Sequence, residues 1–153
     1  MDAKDRKILA LLQADATLTA ADLAEQVGLT TTPCWRRIQR LEEQGYIRNR
    51  VTLLDRHKMN VGITVFVAVR ANRHASDWVE RFRKVVQEMP EIIEAHRLSG
   101  DIDYLLRVVV PSIESFDEVY KKMIKSLEFT DVSSSFSMEE LKYTTAIPVN
   151  YVE

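Results

Sequence analysis

LTAADLAEQVGLTTTPCWRRIQRLEEQGYI, residues 18–47, predicts two short helices joined by a tight turn. Thr19 is placed to cap the first helix, and Asp22 three residues later completes a capping box, in which each side chain bonds the other residue's backbone N–H. Gly28 ends this helix, because glycine adopts the left-handed conformation of a helix terminus without steric cost. A second helix begins within a few residues, so the stretch has the layout of a helix-turn-helix.

The second helix has an apolar face and an arginine-rich face. Either Thr30 or Thr31 caps its start. The apolar positions recur at i, i+4 and i+7 and predict one buried face; they are Cys34, Ile38 and Leu41. Trp35 adjoins this stripe and either packs in the core or covers the outer side. A helix with threonines at its start and arginines off the core face is typical of a DNA-reading element.

The residue types on the outer side suit DNA. A guanidinium bonds a guanine edge or a phosphate, and a helix N-terminus with threonine hydroxyls suits a phosphate oxygen. The candidate DNA-binding residues are Thr30, Thr31, Thr32, Trp35, Arg36, Arg37, Gln39 and Arg40. In the alternative interpretation the three arginines only solvate a surface helix and pair with Glu42 or Glu43.

Charge is distributed unevenly along the chain. The net charge of the 153 residues is −2, but residues 1–60 carry ten Lys and Arg against eight Asp and Glu, a net of +2, which leaves −4 for residues 61–153. A weakly basic DNA-binding domain joined to an acidic partner domain fits these numbers. A hydrophobic share of 46% is enough for a core, and one cysteine excludes an internal disulfide. Without a signal peptide or a spanning apolar run, we expect a cytoplasmic, nucleoid-associated protein with no membrane partner.

The second half of the chain has a different periodicity. After a polar turn at 55–60, β-type runs at 61–71, 91–98, 104–110 and 132–144 are separated by helical patterns that begin at Ser76 and Ser115. The order βαββαβ predicts a ferredoxin-like (RAM-type) antiparallel sheet with two helices on one face. The predicted fold is therefore α+β, with a winged helix-turn-helix at 1–60, whose wing or linker strand lies in 46–55, and a second domain at 61–153.

The uncovered face of the predicted sheet is also apolar. Phe66 alternates with Val65, and Leu105 with Leu106, so both faces carry large hydrophobic side chains. A monomer would leave the second face in water, which indicates face-to-face dimerisation.

Three segments resemble the Lrp/AsnC, or feast/famine, family of transcriptional regulators. They are GLTTTPCWRRIQRLEEQGYI at 28–47, LSGDIDYLLRV at 98–108 and MEELK at 138–142. The resemblance covers nearly the whole chain and implies dimers built from the C-terminal domains, often assembled into tetramers or octamers. It also implies no cofactor, and a free amino acid bound between the C-terminal domains of neighbouring subunits. TTTPCWRRIQRLE, WVERFRKVVQEMPE and DVSSSFSMEELKYTTAIP are most similar to a branch that senses L-cysteine, which is the leading effector.

The chemistry of a free amino acid suggests where it would bind. Either Asp101 or Asp103 pairs with the ammonium, and backbone N–H groups around Gly100 hold the carboxylate. The resemblance adds serines of the last strand near the effector. The candidate effector-binding residues are Ser99, Gly100, Asp101, Asp103, Tyr104, Ser134, Ser135 and Phe136. In the alternative, Gly100 only makes the turn and the aspartates are solvated.

Other classes of function fit the sequence less well. His57, His74 and His96 lack metal-ligand spacing, and no phosphate-binding or nucleophile motif is present, so we expect neither an enzyme nor a metal site. Cys34 lies on an apolar face, where a cysteine usually acts as a small hydrophobe rather than a redox switch. The remaining alternative is an architectural, nucleoid-type protein with little sequence preference and no effector. The sequence favours a sequence-specific regulator of amino-acid metabolism acting at a promoter or operator.

Overall fold

The computed structural model of the protein describes residues 1–71 and 76–152, so His74 lies outside the described residues. The chain divides into two compact units. The first contains Met1–Leu53 and Lys142–Glu153, and the second contains Leu54–Leu141. None of the helices in the described ranges is both long and apolar enough to cross a membrane.

The N-terminal unit is built from three helices, α1 (Ala3–Ala14), α2 (Ala20–Val27) and α3 (Thr31–Glu43). Their apolar faces form one core; its buried members are Ile8, Leu9, Leu23, Ala24, Val27, Cys34, Ile38 and Leu41. The predicted stripe of α3 is thus confirmed. Burial raises the pKa of the Cys34 thiol, which disfavours the reactive thiolate.

The signals at the ends of α2 are those predicted. The Asp22 backbone N–H donates to the Thr19 hydroxyl at 3.2 Å, and the Thr19 backbone N–H donates to the Asp22 carboxylate at 2.8 Å. Gly28 closes the helix with φ 65°. At α3 the cap residue is Thr30, but its side chain makes no capping hydrogen bond.

The last residues of the chain pack with the N-terminal unit. The Gln13 side-chain amide makes two hydrogen bonds to the backbone of Ile147. Its nitrogen donates to the Ile147 carbonyl at 3.0 Å, and its oxygen accepts from the Ile147 N–H at 2.7 Å. Val149 packs against the helical core. The compact units therefore differ from a simple division at residue 60, and the functional assignment of 1–60 and 61–153 stays a prediction.

The C-terminal unit has the predicted element order. Its elements are β1 (Ile63–Ala71), α4 (Ser76–Glu88), β2 (Ile92–Arg97), β3 (Tyr104–Val110), α5 (Ile113–Ser126) and β4 (Phe129–Phe136). The strands form one antiparallel sheet in the order β2-β3-β1-β4. Alternate residues of β1 and β3, such as Val67 and Leu106, are fully buried against α4 and α5.

Two predicted strands differ from the structure. Residues 46–55 form no strand, although they are rich in β-forming residues, because they pair with no neighbouring strand of the described chain. The last strand starts at Phe129 and ends at Phe136, whereas alternation predicted 132–144. The pairing with β1 ends at Val65 opposite Phe136, two residues inside β1, and beyond it the Ser137 backbone N–H donates to the Thr64 carbonyl at 2.9 Å.

The sheet face away from the helices is open. Phe66 is 39% exposed there, and Arg107, its pairing partner on the neighbouring strand β3, donates to the Glu94 carboxylate at 2.8 Å. This face therefore combines an exposed aromatic ring with paired charges.

Candidate DNA-binding surface and effector turn

The outer side of α3 carries the exposed part of the predicted DNA-binding set. Thr31, Thr32 and Arg36 are exposed, and Trp35 is 52% exposed. Trp35 therefore covers the outer side and is not part of the core, which decides between the two positions left open by its spacing. Gln39 is half-buried and donates to the Glu42 carboxylate at 3.2 Å.

Arg37 and Arg40 are held by carboxylates of α1. The Arg37 guanidinium donates to Asp2 at 2.5 Å and to Asp5 at 2.7 Å, and that of Arg40 donates to Asp5 at 2.8 Å. The carboxylate of Asp5, followed by that of Asp2, raises the pKa of Arg37. These partners replace Glu42 and Glu43, which sequence proximity had suggested for the arginines. Glu42 pairs instead with Arg50, at 3.0 Å.

Asp5 is a site residue that the sequence analysis missed. Its side chain is 2% exposed, although aspartate is rarely buried without partners. The available signal was spacing, since Asp2 and Asp5 lie one helical turn apart, as do Arg37 and Arg40. That spacing does not reveal which helices face each other.

The acidic start of α1 gives the N-terminal unit a pH dependence. The Asp5 backbone N–H, and then the Arg37 guanidinium, lower the pKa of Asp2 from 3.8 to about 2. Because the folded-state pKa lies below the ordinary value, ionised Asp2 stabilises the fold above about pH 4, and this stabilisation is lost as the pH falls from about 4 through the folded-state pKa of about 2.

Asp2→Asn tests this dependence, because asparagine keeps the helix cap but has no charge. We expect the variant to melt below the wild type at pH 6, and the difference in melting temperature to shrink below about pH 4 and to vanish only below about pH 2. Thermal unfolding followed by circular dichroism across this range measures it. A difference that stays constant with pH would contradict the assignment.

The turn between β2 and β3 is tied to the end of β1. The Asp103 carboxylate accepts from the Ala71 backbone N–H at 2.9 Å, and the Asp103 backbone N–H donates to the Val69 carbonyl at 2.9 Å. The Arg70 side chain donates to the Asp101 carbonyl at 2.7 Å. Gly100 has φ 142° and would leave an added Cβ in open space, so its backbone is approachable. The carboxylate of Asp103 thus holds the turn, while Asp101 is exposed.

The remaining predicted effector residues are Tyr104, which directly follows this turn, and three residues of β4. Tyr104 packs its ring against Phe82 and Trp78, with centroid distances of 4.5 and 5.7 Å. Phe136 packs on Phe116 of α5 at 5.3 Å. Ser134 and Ser135 lie on β4, paired with Val67 and Phe66, and β1 separates them from β3. Among the described residues, Ser134 and Ser135 are therefore separated from β3 and from the turn that precedes it by the width of β1.

A metal centre is not formed by the described parts of the chain. Within residues 1–71 and 76–152, no three His, Cys, Asp or Glu side chains are grouped so that they could hold a metal ion.

Comparison with known proteins matches both units. Residues 1–48 match the model of a winged helix-turn-helix DNA-binding domain, and residues 64–147 match the model of the Lrp/AsnC ligand binding domain. The chain is 54% identical over 149 residues to the glutamate uptake regulatory protein of Zymomonas mobilis subsp. mobilis. This match covers 97% of this chain and 91% of that protein.

Two solved structures share the fold over almost the whole length. An AsnC family transcriptional regulator from Agrobacterium tumefaciens is 57% identical, with a TM-score of 0.96 and full coverage of both chains. A transcriptional regulator from Neisseria meningitidis, crystallised as an L-Met complex, is 34% identical, with a TM-score of 0.93 and coverage of 98% and 97%.

Proposed function

The chain belongs to the Lrp/AsnC family of transcriptional regulators, and we propose that it reads promoter or operator DNA sequence-specifically in response to a free amino acid. It is a DNA-binding regulator with a ligand-binding domain, not an enzyme. We place its action in the cytoplasm, on the nucleoid, and its targets among genes of amino-acid metabolism. The proposal rests on the composition of the outer side of α3. There the exposed Trp35 and Arg36 lie beside the threonine-rich start of the helix.

DNA reading is assigned to the exposed residues of α3. Arg36 has no ion-pair partner within residues 1–71 and 76–152, so its guanidinium is available for a guanine edge or a phosphate. The Thr30 hydroxyl makes no capping bond and suits a phosphate oxygen at the helix N-terminus. Trp35 offers apolar surface to a thymine methyl or a deoxyribose.

The effector is assigned to the C-terminal unit. A relative at 34% identity was solved as an L-Met complex, which supports an amino acid as the ligand class, with L-cysteine as our specific candidate. Since β1 separates Ser134 and Ser135 of β4 from the strand that follows the turn at 99–103, we propose that different subunits supply the turn and these serines. The open sheet face with Phe66 then forms the homodimer, and dimers assemble into a tetramer or octamer.

DNA selection tests the first half of the proposal. From a random-sequence pool of duplexes we expect the protein to enrich a defined sequence, bound about 10³-fold or more tightly than random DNA of equal length. Electrophoretic mobility shifts at fixed salt give this affinity ratio. A ratio near one would favour an architectural DNA-binding protein instead.

A thermal-shift panel of the twenty amino acids tests the second half. Binding to the folded state raises its stability by ~2.7 kcal/mol at a hundredfold excess over the dissociation constant. We expect one or a few amino acids, L-cysteine among them, to raise the melting temperature. If none of the twenty amino acids raised the melting temperature, the proposal of an amino-acid effector would be wrong.

A further inference from the structure

The contact between α1 and α3 contains a buried charged group. The Asp5 carboxylate is 2% exposed and uses its two oxygens on two residues of α3, Oδ1 on Arg37 at 2.7 Å and Oδ2 on Arg40 at 2.8 Å. Asp2 extends this group, since it accepts from Arg37 and from the Asp5 backbone N–H at 2.8 Å. No buried side-chain nitrogen or oxygen of the described residues lacks a hydrogen-bond partner, so the buried carboxylate is fully satisfied.

This group constrains α3 in a way that its apolar contacts do not. The core face of α3 consists of three buried side chains, and non-directional apolar packing permits small rotations of a helix about its axis. Charge-assisted hydrogen bonds to a guanidinium are directional and stronger than neutral ones. Because Arg37 and Arg40 lie one turn apart, two bonds from one carboxylate fix both the rotation and the axial position of α3.

The arginines of α3 therefore differ in their partners and in their charge environment. Asp2 and Asp5 offset the charges of Arg37 and Arg40, whereas Arg36 on the outer side keeps its charge free of these carboxylates. Rotation of α3 by about 10° would shift a side-chain tip ~6 Å from the helix axis by ~1 Å, which is more than the ~0.5 Å spread of good hydrogen-bond distances.

We propose that Asp5 is a positioning residue for DNA reading, which sets the orientation of α3 through Arg37 and Arg40 without touching DNA. This inference rests on the proposed function, since it concerns the specificity of that same helix. Arg37 and Arg40 then hold α3 in place and do not contact DNA. The residues that contact DNA are reduced to Thr30, Thr31, Thr32, Trp35, Arg36 and Gln39.

Asp5→Asn is the test, because the amide has the shape of the carboxylate but cannot accept from two guanidinium groups. We expect affinity for the selected duplex to fall at least tenfold while affinity for random DNA stays within about twofold, so the specificity ratio collapses. The readout that distinguishes positioning from general stability is nuclear magnetic resonance of the guanidinium N–H groups. Those of Arg37 and Arg40 should exchange slowly in the wild type and rapidly in the variant.

Asp15→Asn is the matched control. It removes one negative charge from the same unit at a carboxylate that, among the described residues, bonds only Thr17, at 2.9 Å from the backbone N–H and 2.6 Å from the hydroxyl. Its specificity ratio should equal that of the wild type. If Asp5→Asn does not fold, the double variant Arg37→Lys with Arg40→Lys keeps both charges but loses the planar forked donors, and should lose specificity in the same way.

An unchanged ratio in Asp5→Asn, or equal losses on selected and random DNA, would overturn the proposal. The first result would mean that α3 is positioned without Asp5, and the second would mean that Asp5 supports the folded unit as a whole and not the orientation of α3. A wild-type protein that selects no duplex would refute the proposed function, and the role of Asp5 in specificity would fall with it.

Discussion

Trp78→Ala lowers the free energy of unfolding of the C-terminal unit by about 3–5 kcal/mol, the cost expected for truncating a buried aromatic residue. Trp78 is 3% exposed and stacks on Phe82 at a centroid distance of 4.9 Å. Its ring also meets Phe129 edge-on at 5.7 Å. Alanine would leave a cavity among these rings, and the surrounding sheet and helices can collapse only partly into it.

The indole nitrogen adds a polar contribution to this effect. Trp78 Nε1 donates to the Glu128 carbonyl at 2.7 Å, just before β4 begins, so the side chain also holds the start of that strand. Tyr104, the last of the predicted effector residues along the turn, packs against the same ring. We therefore expect Trp78→Ala also to weaken any amino-acid response measured below its melting temperature.

Urea unfolding followed by circular dichroism measures the loss of stability, and Trp78→Phe is the matched control. Phenylalanine keeps an aromatic ring in the cluster and loses the hydrogen bond, so it should cost about 1–3 kcal/mol, less than alanine. A Trp78→Ala protein as stable as the Phe variant would show that the ring contacts do not stabilise this unit.

Arg36→Glu reduces affinity for the selected duplex by about a hundredfold or more and leaves the melting temperature unchanged. Arg36 is exposed on the outer side of α3, so its replacement creates no cavity. A good bidentate base contact contributes about 1–3 kcal/mol, and each 1.4 kcal/mol is about tenfold in affinity. Glutamate removes such a contact and adds repulsion from the phosphates, in each subunit of the proposed dimer.

Mobility shifts at fixed salt, together with thermal melting, check this result. Arg83→Glu is the matched control, since it reverses the charge of an arginine that is 70% exposed on α4 of the other unit. We expect its DNA affinity to stay close to that of the wild type. Equal losses of DNA affinity in the two variants would show that only net charge matters. A DNA affinity of Arg36→Glu equal to that of the wild type would show that Arg36 does not contact DNA.

Local signals predicted much of the fold. The capping box at Thr19, the left-handed Gly28 and the i, i+4, i+7 stripe of α3 are properties of short stretches, and the structure has all three. The turn at Gly100 and Pro111 bounded the β-type run that became β3, Tyr104–Val110, a central strand of the sheet that is paired along its length. The resemblance to the Lrp/AsnC family likewise rested on short segments and on their order along the chain.

The end of β4 could not be obtained in this way. Residues 137–144 continue the alternation of β4, but the pairing of β4 with β1 ends at Phe136 and Val65. Pairing partners are distant in sequence, so propensity alone does not report them.

The sequence by itself determined the two kinds of domain, the helix that carries the DNA-binding residues and the turn at Gly100, because each is encoded by neighbouring residues. Only the tertiary structure decided which arginines of α3 are held by α1, that Trp35 is exposed, and that Val149 joins the helical core. These facts depend on contacts across 32 to 134 positions, such as Asp5 with Arg37 and Gln13 with Ile147. Periodicity shows which face of a helix is apolar, but only packing selects the charged group or the distant segment that lies against it.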